Sequence, residues 1–175
     1  MRSMLTAAVA VVLSLTASGC AGANDDAEAS QAISTSIVKQ QRSDSGPGAL
    51  LSLQRKQARC IGDGLVKKIG VDRLRKSGML TEDNQVKGSV TEAKLSHADA
   101  RTATSVLFGC ADVEAMVEKG LARSGQISSK MQPCVNKVVD DQSLRAMFTH
   151  YFQGDKNAPQ ALVRPMMRCI GGNVG

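Results

Sequence analysis

An all-α bundle of about six to seven short helices, stapled by two disulfides, is the fold this chain predicts. Three observations lead there. Beyond residue 48 apolar residues recur at three- and four-residue steps, and no stretch alternates with a period of two. Four cysteines, Cys60, Cys110, Cys134 and Cys169, lie far from any Cys-x-x-Cys spacing. The chain also repeats a unit of a helix bearing one cysteine, a connection, and a helix ending in another.

The elements follow in order. Ala32, Ile33 and Ile37 outline a first short helix ahead of the breaker Ser45-Gly46-Pro47-Gly48. Ala58, Ile61, Leu65 and Ile69 mark one face of the next, and Gly70 stops it. Ser96 and Asp99 form a starting cap for a helix with Ala103, Val106, Leu107 and Cys110 on one face. Val113, Met116, Val117 and Leu121 make another stripe. Ile127, Met131, Cys134, Val135 and Val138 make the next, where Pro133 requires a kink or a late start. Asp140 and Asp141 precede a helix at Ser143, where carboxylates satisfy free N–H groups. That helix carries the clearest stripe: Leu144, Met147, Phe148, Tyr151 and Phe152. The last has Ala158, Ala161, Leu162, Met166 and Cys169 on its apolar side, with Pro165 a kink.

The repeat bears on the disulfides. Setting Cys60 on Cys134 places Leu53 on Ile127, Lys56 on Lys130, Ile61 on Val135 and Leu65 on Val139. Setting Cys110 on Cys169 places Leu107 on Met166. Four cysteines allow three connectivities, and a duplicated unit that closes its own bridge selects Cys60–Cys110 and Cys134–Cys169. The spacing leaves open whether the helices form one bundle or two stacked repeats.

The N-terminus supplies the address. Arg2 precedes an apolar run from Met4 to Leu15, shorter than the roughly 20 residues a membrane span needs, so residues 1–19 read as a signal peptide. Ala17-Ser18-Gly19-Cys20 resembles the bacterial lipobox. Ala17 departs from the leucine commoner there. The resemblance implies cleavage before Cys20 and its lipidation, with palmitate-type acyl chains holding the protein to the outer face of the membrane. The alternative is cleavage after Ala21-Gly22-Ala23 and release as a secreted protein. Residues 20–48 read as a lipid-anchored tether with a short helix, and residues 49–175 as the helical four-cysteine domain. Cys60-Ile61-Gly62-Asp63-Gly64-Leu65-Val66 and Ile69-Gly70-Val71-Asp72-Arg73-Leu74 resemble a segment recurrent in exported helical proteins of high-GC Gram-positive bacteria. That resemblance implies an envelope location and no particular activity.

Composition bounds the rest. Removing the first 19 of the 175 residues leaves 156, enough for one domain with a real core. With no Trp, one Tyr and three Phe, that core is aliphatic and Met fills its gaps. An even cysteine count in an oxidising compartment reads as structural disulfides rather than as a thiol nucleophile. Phosphate-loop, nucleophile-elbow and paired-histidine metal motifs do not occur. Neither a catalytic residue nor a cofactor is expected. His97 reads as an exposed residue near a cap, and His150 as a packing or surface residue. Met166 and Met167 near Cys169 could be soft ligands for copper(I), but read more simply as core filler.

Charge is concentrated. Residues 55–76 hold Arg55, Lys56, Arg59, Lys67, Lys68, Arg73, Arg75 and Lys76 against only Asp63 and Asp72, while acids and bases nearly cancel over the rest of the mature chain. This segment is the expected binding surface for an anionic envelope polymer, lipid headgroups or an acidic protein. Nucleic acid is disfavoured, because no aromatic residues interleave with the charges to stack bases. A carrier of a small apolar ligand between the helices is the alternative function. An envelope enzyme using His150 is a third.

Overall fold

The computed structural model describes residues 21–41, 51–88, 92–123, 128 and 130–170. Among them the chain is helical, with one isolated bridge between Leu80 and Val86 in place of any strand. Eight helices follow one another: α1 Ala21–Gln40, α2 Arg55–Ile69, α3 Val71–Lys76, α4 His97–Cys110, α5 Val113–Arg123, α6 Gln132–Val138, α7 Asp141–Phe152 and α8 Gln160–Ile170. That is one more than the sequence predicts, because Gly70 both ends α2 and begins α3. Its φ of 90° suits a residue without a Cβ. Its N–H donates to Val66 and its carbonyl accepts from Leu74.

The helix starts are built as their sequences indicate. The Ser96 hydroxyl accepts from the Asp99 N–H at 3.2 Å and donates to the Asp99 carboxylate at 2.9 Å. Asp140 accepts from the Ser143 N–H at 2.7 Å. Pro133 stands in the first turn of α6, so that helix starts late rather than bending. Pro165 lies inside α8.

The first helix differs from expectation. Residues 21–31, small and acidic, read as a tether, yet they form the first half of α1. Ala29 and Ile33 on it are fully buried. Helix α1 thus packs on the same core as the helices that follow it.

Helix α2 is the centre of the fold, with α1 packed on one side of it and α4 on another. The segment Cys60–Leu65 explains both contacts. A Cβ added at Gly62 would lie 2.6 Å from the carbonyl oxygen of Ser30 in α1, and one added at Gly64 would lie 2.6 Å from Cγ1 of Val106 in α4. Asp63 between them accepts a hydrogen bond from the Ser30 hydroxyl. Ile61 and Leu65 are buried, and Cys60 is bridged to Cys110 at the end of α4.

Beyond α4 lies α7. Phe108 meets Phe148 edge-on with ring centroids 6.1 Å apart, and the hydroxyls of Thr104 and Thr149 meet at 3.1 Å. Helix α7 in turn contacts α5 and α8, and the second disulfide, Cys134–Cys169, ties α6 to α8. Both bridges thus follow the pairing that the repeat selects. One continuous core runs from Ala29 through Leu65, Leu107 and Leu144 to Cys169, so the repeats share a single bundle. The connection between α3 and α4 also joins this core, burying Met79, Leu80, Ala93 and Leu95. Ala161, expected on the apolar side of α8, is exposed. Closing loops of 50 and 35 residues removes chain entropy worth about 4 kcal/mol for each bridge.

The two glycines of α2 make a test whose sign is informative. In an open helix, Gly→Ala stabilises by about 1 kcal/mol. Overpacking costs about 1–3 kcal/mol. Gly62→Ala and Gly64→Ala are therefore expected to destabilise, by about 1–2 kcal/mol each in urea unfolding. Gly62→Ala should be the worse, because it meets backbone rather than a methyl group. A stabilised G62A protein would rule out the close α1–α2 approach.

Candidate basic surface and its neighbours

The eight cations of residues 55–76 divide into two sets. Arg73 and Arg75, expected among the binding residues, are engaged within the fold. Arg73 forms an ion pair with Asp99 of α4 at 2.8 Å, and its Nε donates to the Ile69 carbonyl at the end of α2 at 2.6 Å. Arg75 turns inward, its side chain only 17% exposed. It donates to Asp25 of α1 at 2.9 Å and to the Asn84 side-chain oxygen at 2.7 Å, and stands 3.5 Å from Asp72. Asn84 completes the triangle by donating to Asp25 at 2.6 Å. It is buried, with a φ of 57° that asparagine tolerates better than most residues.

The remaining six, Arg55, Lys56, Arg59, Lys67, Lys68 and Lys76, are exposed and form no ion pair among the described residues. At 3.6 residues per turn, Lys56, Arg59 and Lys67 share one outward strip of α2, opposite the buried stripe. Asp63 lies within this strip, and its carboxylate is already held by Ser30. Cys60 borders the strip and is exposed, so the first disulfide faces solvent beside the cations. The second is more enclosed, with Cys169 buried.

Other sequence candidates find their places. Cys20 lies outside the described residues. Met166 packs against the core, whereas Met167 is 60% exposed, so only the first acts as core filler. Cys169, in a disulfide, offers no thiolate to a metal. Among the described residues no group of three or more His, Cys, Asp or Glu could hold a metal ion, and no helix is long and apolar enough to cross a membrane.

An apolar cavity of about 80 Å³ lies where the end of α1 and residues 51–53 meet α2, α4 and α7, lined by Ile37, Leu53, Ile61, Leu107, Phe148 and Phe152. A cavity that holds benzene measures about 150 Å³. The space between these helices is thus smaller than a single aromatic ring requires.

His97 and His150 are both exposed, as expected for the first. The fold brings the two to one groove between α4 and α7, together with Arg101 and Arg145. Sequence reading treats each histidine alone. The available signal is the i, i+4 spacing of His97 with Arg101 on one helix, but the antiparallel partner comes only with the fold.

The Asp25 triangle sets a pH dependence. The Asn84 amide, followed by the Arg75 guanidinium, holds the Asp25 carboxyl below its ordinary value of 3.8. A depressed carboxyl stabilises the fold above its unfolded value and loses that contribution as pH falls through the folded value. Asp140 shifts the same way, through the Ser143 N–H. Acid unfolding followed by helical circular dichroism should therefore steepen below about pH 4. An Asp25→Asn protein should show a shallower acid limb, with the Asp140 contribution intact. An unchanged limb would show that the triangle does not couple protonation to folding.

Comparison of the chain with known protein families, with curated proteins and with solved structures finds no match.

Proposed function

We propose that this is an exported, non-enzymatic binding protein, lipid-anchored through Cys20, that engages an anionic component of the cell envelope through the outer face of α2. The observation that carries the reading is the set of six exposed cations, Arg55, Lys56, Arg59, Lys67, Lys68 and Lys76, free of ion pairs among the described residues. Each such charge near an anionic surface contributes about 1 kcal/mol. Surface cations whose role is to stabilise the fold sit beside carboxylates, as Arg73 and Arg75 do here.

The anchor and the binding face fit together. Ser30 meets Asp63 and Asp25 meets Arg75, so α1 runs back along α2 and its first turn lies at the α3 end. With α1 starting at Ala21, an acyl chain on Cys20 holds that end against the bilayer. Lys67 and Lys68 in the last turn of α2 and Lys76 in the last turn of α3 lie toward that end. Arg55, Lys56 and Arg59 stand at the far end of α2, facing the wall space.

Two measurements test the reading separately. The intact mass of protein from the native membrane fraction is expected to begin at Cys20 and to include acyl chains; a soluble species beginning at Asn24 would remove the anchor. A Cys20→Ser protein should bind washed envelope fragments at low ionic strength and leave them at about 0.5 M salt, where screening acts within a few ångströms. Reversing Lys56, Arg59 and Lys67 to Glu should abolish that binding. Retention of the reversed protein, or retention at high salt, would overturn the electrostatic reading.

A further inference from the structure

The two disulfides sit in unlike surroundings. Cys134 is half-buried and Cys169 buried, so the bridge between α6 and α8 is shielded by the core. Cys60 is exposed and Cys110 half-buried, so the bridge between α2 and α4 meets solvent. Exposed disulfides are the ones that exchange with thiols, because an attacking thiolate has to reach a sulfur.

The two sulfurs of the exposed bridge also differ from each other. Lys56 precedes Cys60 by one turn of α2, Arg59 is adjacent to it, and Lys67 follows two turns on. None of the three has an ion pair among the described residues. The acid nearest along the strip, Asp63, accepts from the Ser30 hydroxyl. Neighbouring cations of this kind stabilise a thiolate. Cys110 has the opposite setting. It is the last residue of α4, at the negative end of the helix dipole. It lines a cleft of about 450 Å³ with Asp112, Glu114 and Asp141. The one cation of that cleft, Arg145, is already held by Asp141 at 2.6 Å. Negative charge is thus favoured on Cys60 and disfavoured on Cys110. When a disulfide opens, the sulfur that bears charge better leaves faster, and its partner is the one attacked.

We propose that Cys60–Cys110 is a thiol-exchange site, at which a small thiol enters the cleft beside Cys110, attacks Cys110 Sγ and releases Cys60 as the thiolate. The incoming thiol gives its proton to water, and its sulfur forms a new S–S bond to Cys110 Sγ. The Cys60–Cys110 bond breaks, and its electron pair goes to Cys60 Sγ. A second small thiol then displaces the first from Cys110. Two thiols are thereby oxidised to one disulfide, and the bridge is reduced to two cysteines. In the reverse of the first step the Cys60 thiolate attacks Cys110 Sγ and expels the small thiol, which makes the modification reversible. The acids of the cleft select the thiol: an ammonium group is drawn in and an anionic group repelled, so the fitting partner is an aminothiol. The approach of Val106 to Gly64 keeps α4 seated on α2 while the bridge is open. This chemistry does not rest on envelope binding by the α2 strip.

The Cys20→Ser protein is the material for the test, because its four remaining cysteines are all bridged. It is exposed to cysteamine, quenched with N-ethylmaleimide and mapped by mass spectrometry after trypsin digestion. Maleimide is expected on Cys60 and cysteamine on Cys110, with Cys134–Cys169 opening about tenfold more slowly or less. Helical circular dichroism should not change as the first bridge opens. At equal thiolate concentration 2-mercaptoethanesulfonate should react about threefold more slowly than cysteamine. With neutral 2-mercaptoethanol, reversal of Lys56, Arg59 and Lys67 to Glu should slow the opening by about fivefold, because Cys60 becomes a poorer leaving group. Opening of both bridges together would overturn the proposal. So would a cysteamine adduct on Cys60, faster reaction of the sulfonate, or an unchanged rate in the charge-reversed protein.

Discussion

When a helix lacks side chains at two positions, its neighbours can reach its backbone, and α2 is approached this way from two directions. Gly62 admits the Ser30 carbonyl of α1 and Gly64 admits Val106 of α4. The bridge from Cys60 to Cys110 then fixes α4 along the same helix. Close approach maximises dispersion contacts in a chain that has few aromatic rings to fill space. The burial of Ala29, Ile33, Ile61, Leu65 and Ala103 follows from it. Helix α7 adds to this three-helix layer through Phe108, Phe148 and the threonine pair, and the α6–α8 bridge closes the far side.

The parts of this arrangement that sequence reveals are those whose cause is local. The stripe Ala58-Ile61-Leu65-Ile69, the Ser96 and Asp140 caps and the Gly70 stop rest on spacing within a helix or on backbone conformation. The disulfide pairing was legible because the repeat carries it. The first half of helix α1 was not, because its inward face includes alanine and its surface is acidic, so its composition matches a flexible tether. Only the empty space above Gly62, contributed by another helix, gives Ala29 and Ile33 something to pack on. Helix α3 and the buried residues Met79 and Leu80 escaped for a similar reason, since their partners are remote in the chain.

Charge shows the same division. A tally along residues 55–76 counts Arg73 and Arg75 with the others, because the carboxylates that take them up, Asp99 and Asp25, lie 26 and 50 residues away. The fold separates cations that hold helices together from cations that face outward, and the second group alone forms the candidate surface. The histidine groove is likewise a product of antiparallel packing between α4 and α7, which no linear pattern encodes.

The crowding around α2 has a consequence for how such a chain can diversify. Two of its sides are closed by neighbours that tolerate no added atom, so drift there is costly. On the strip only Asp63 is held by a neighbour, through Ser30, while Lys56, Arg59 and Lys67 form no ion pair among the described residues. Recognition can therefore be rewritten on that strip, one charge at a time, on an architecture that does not register the change.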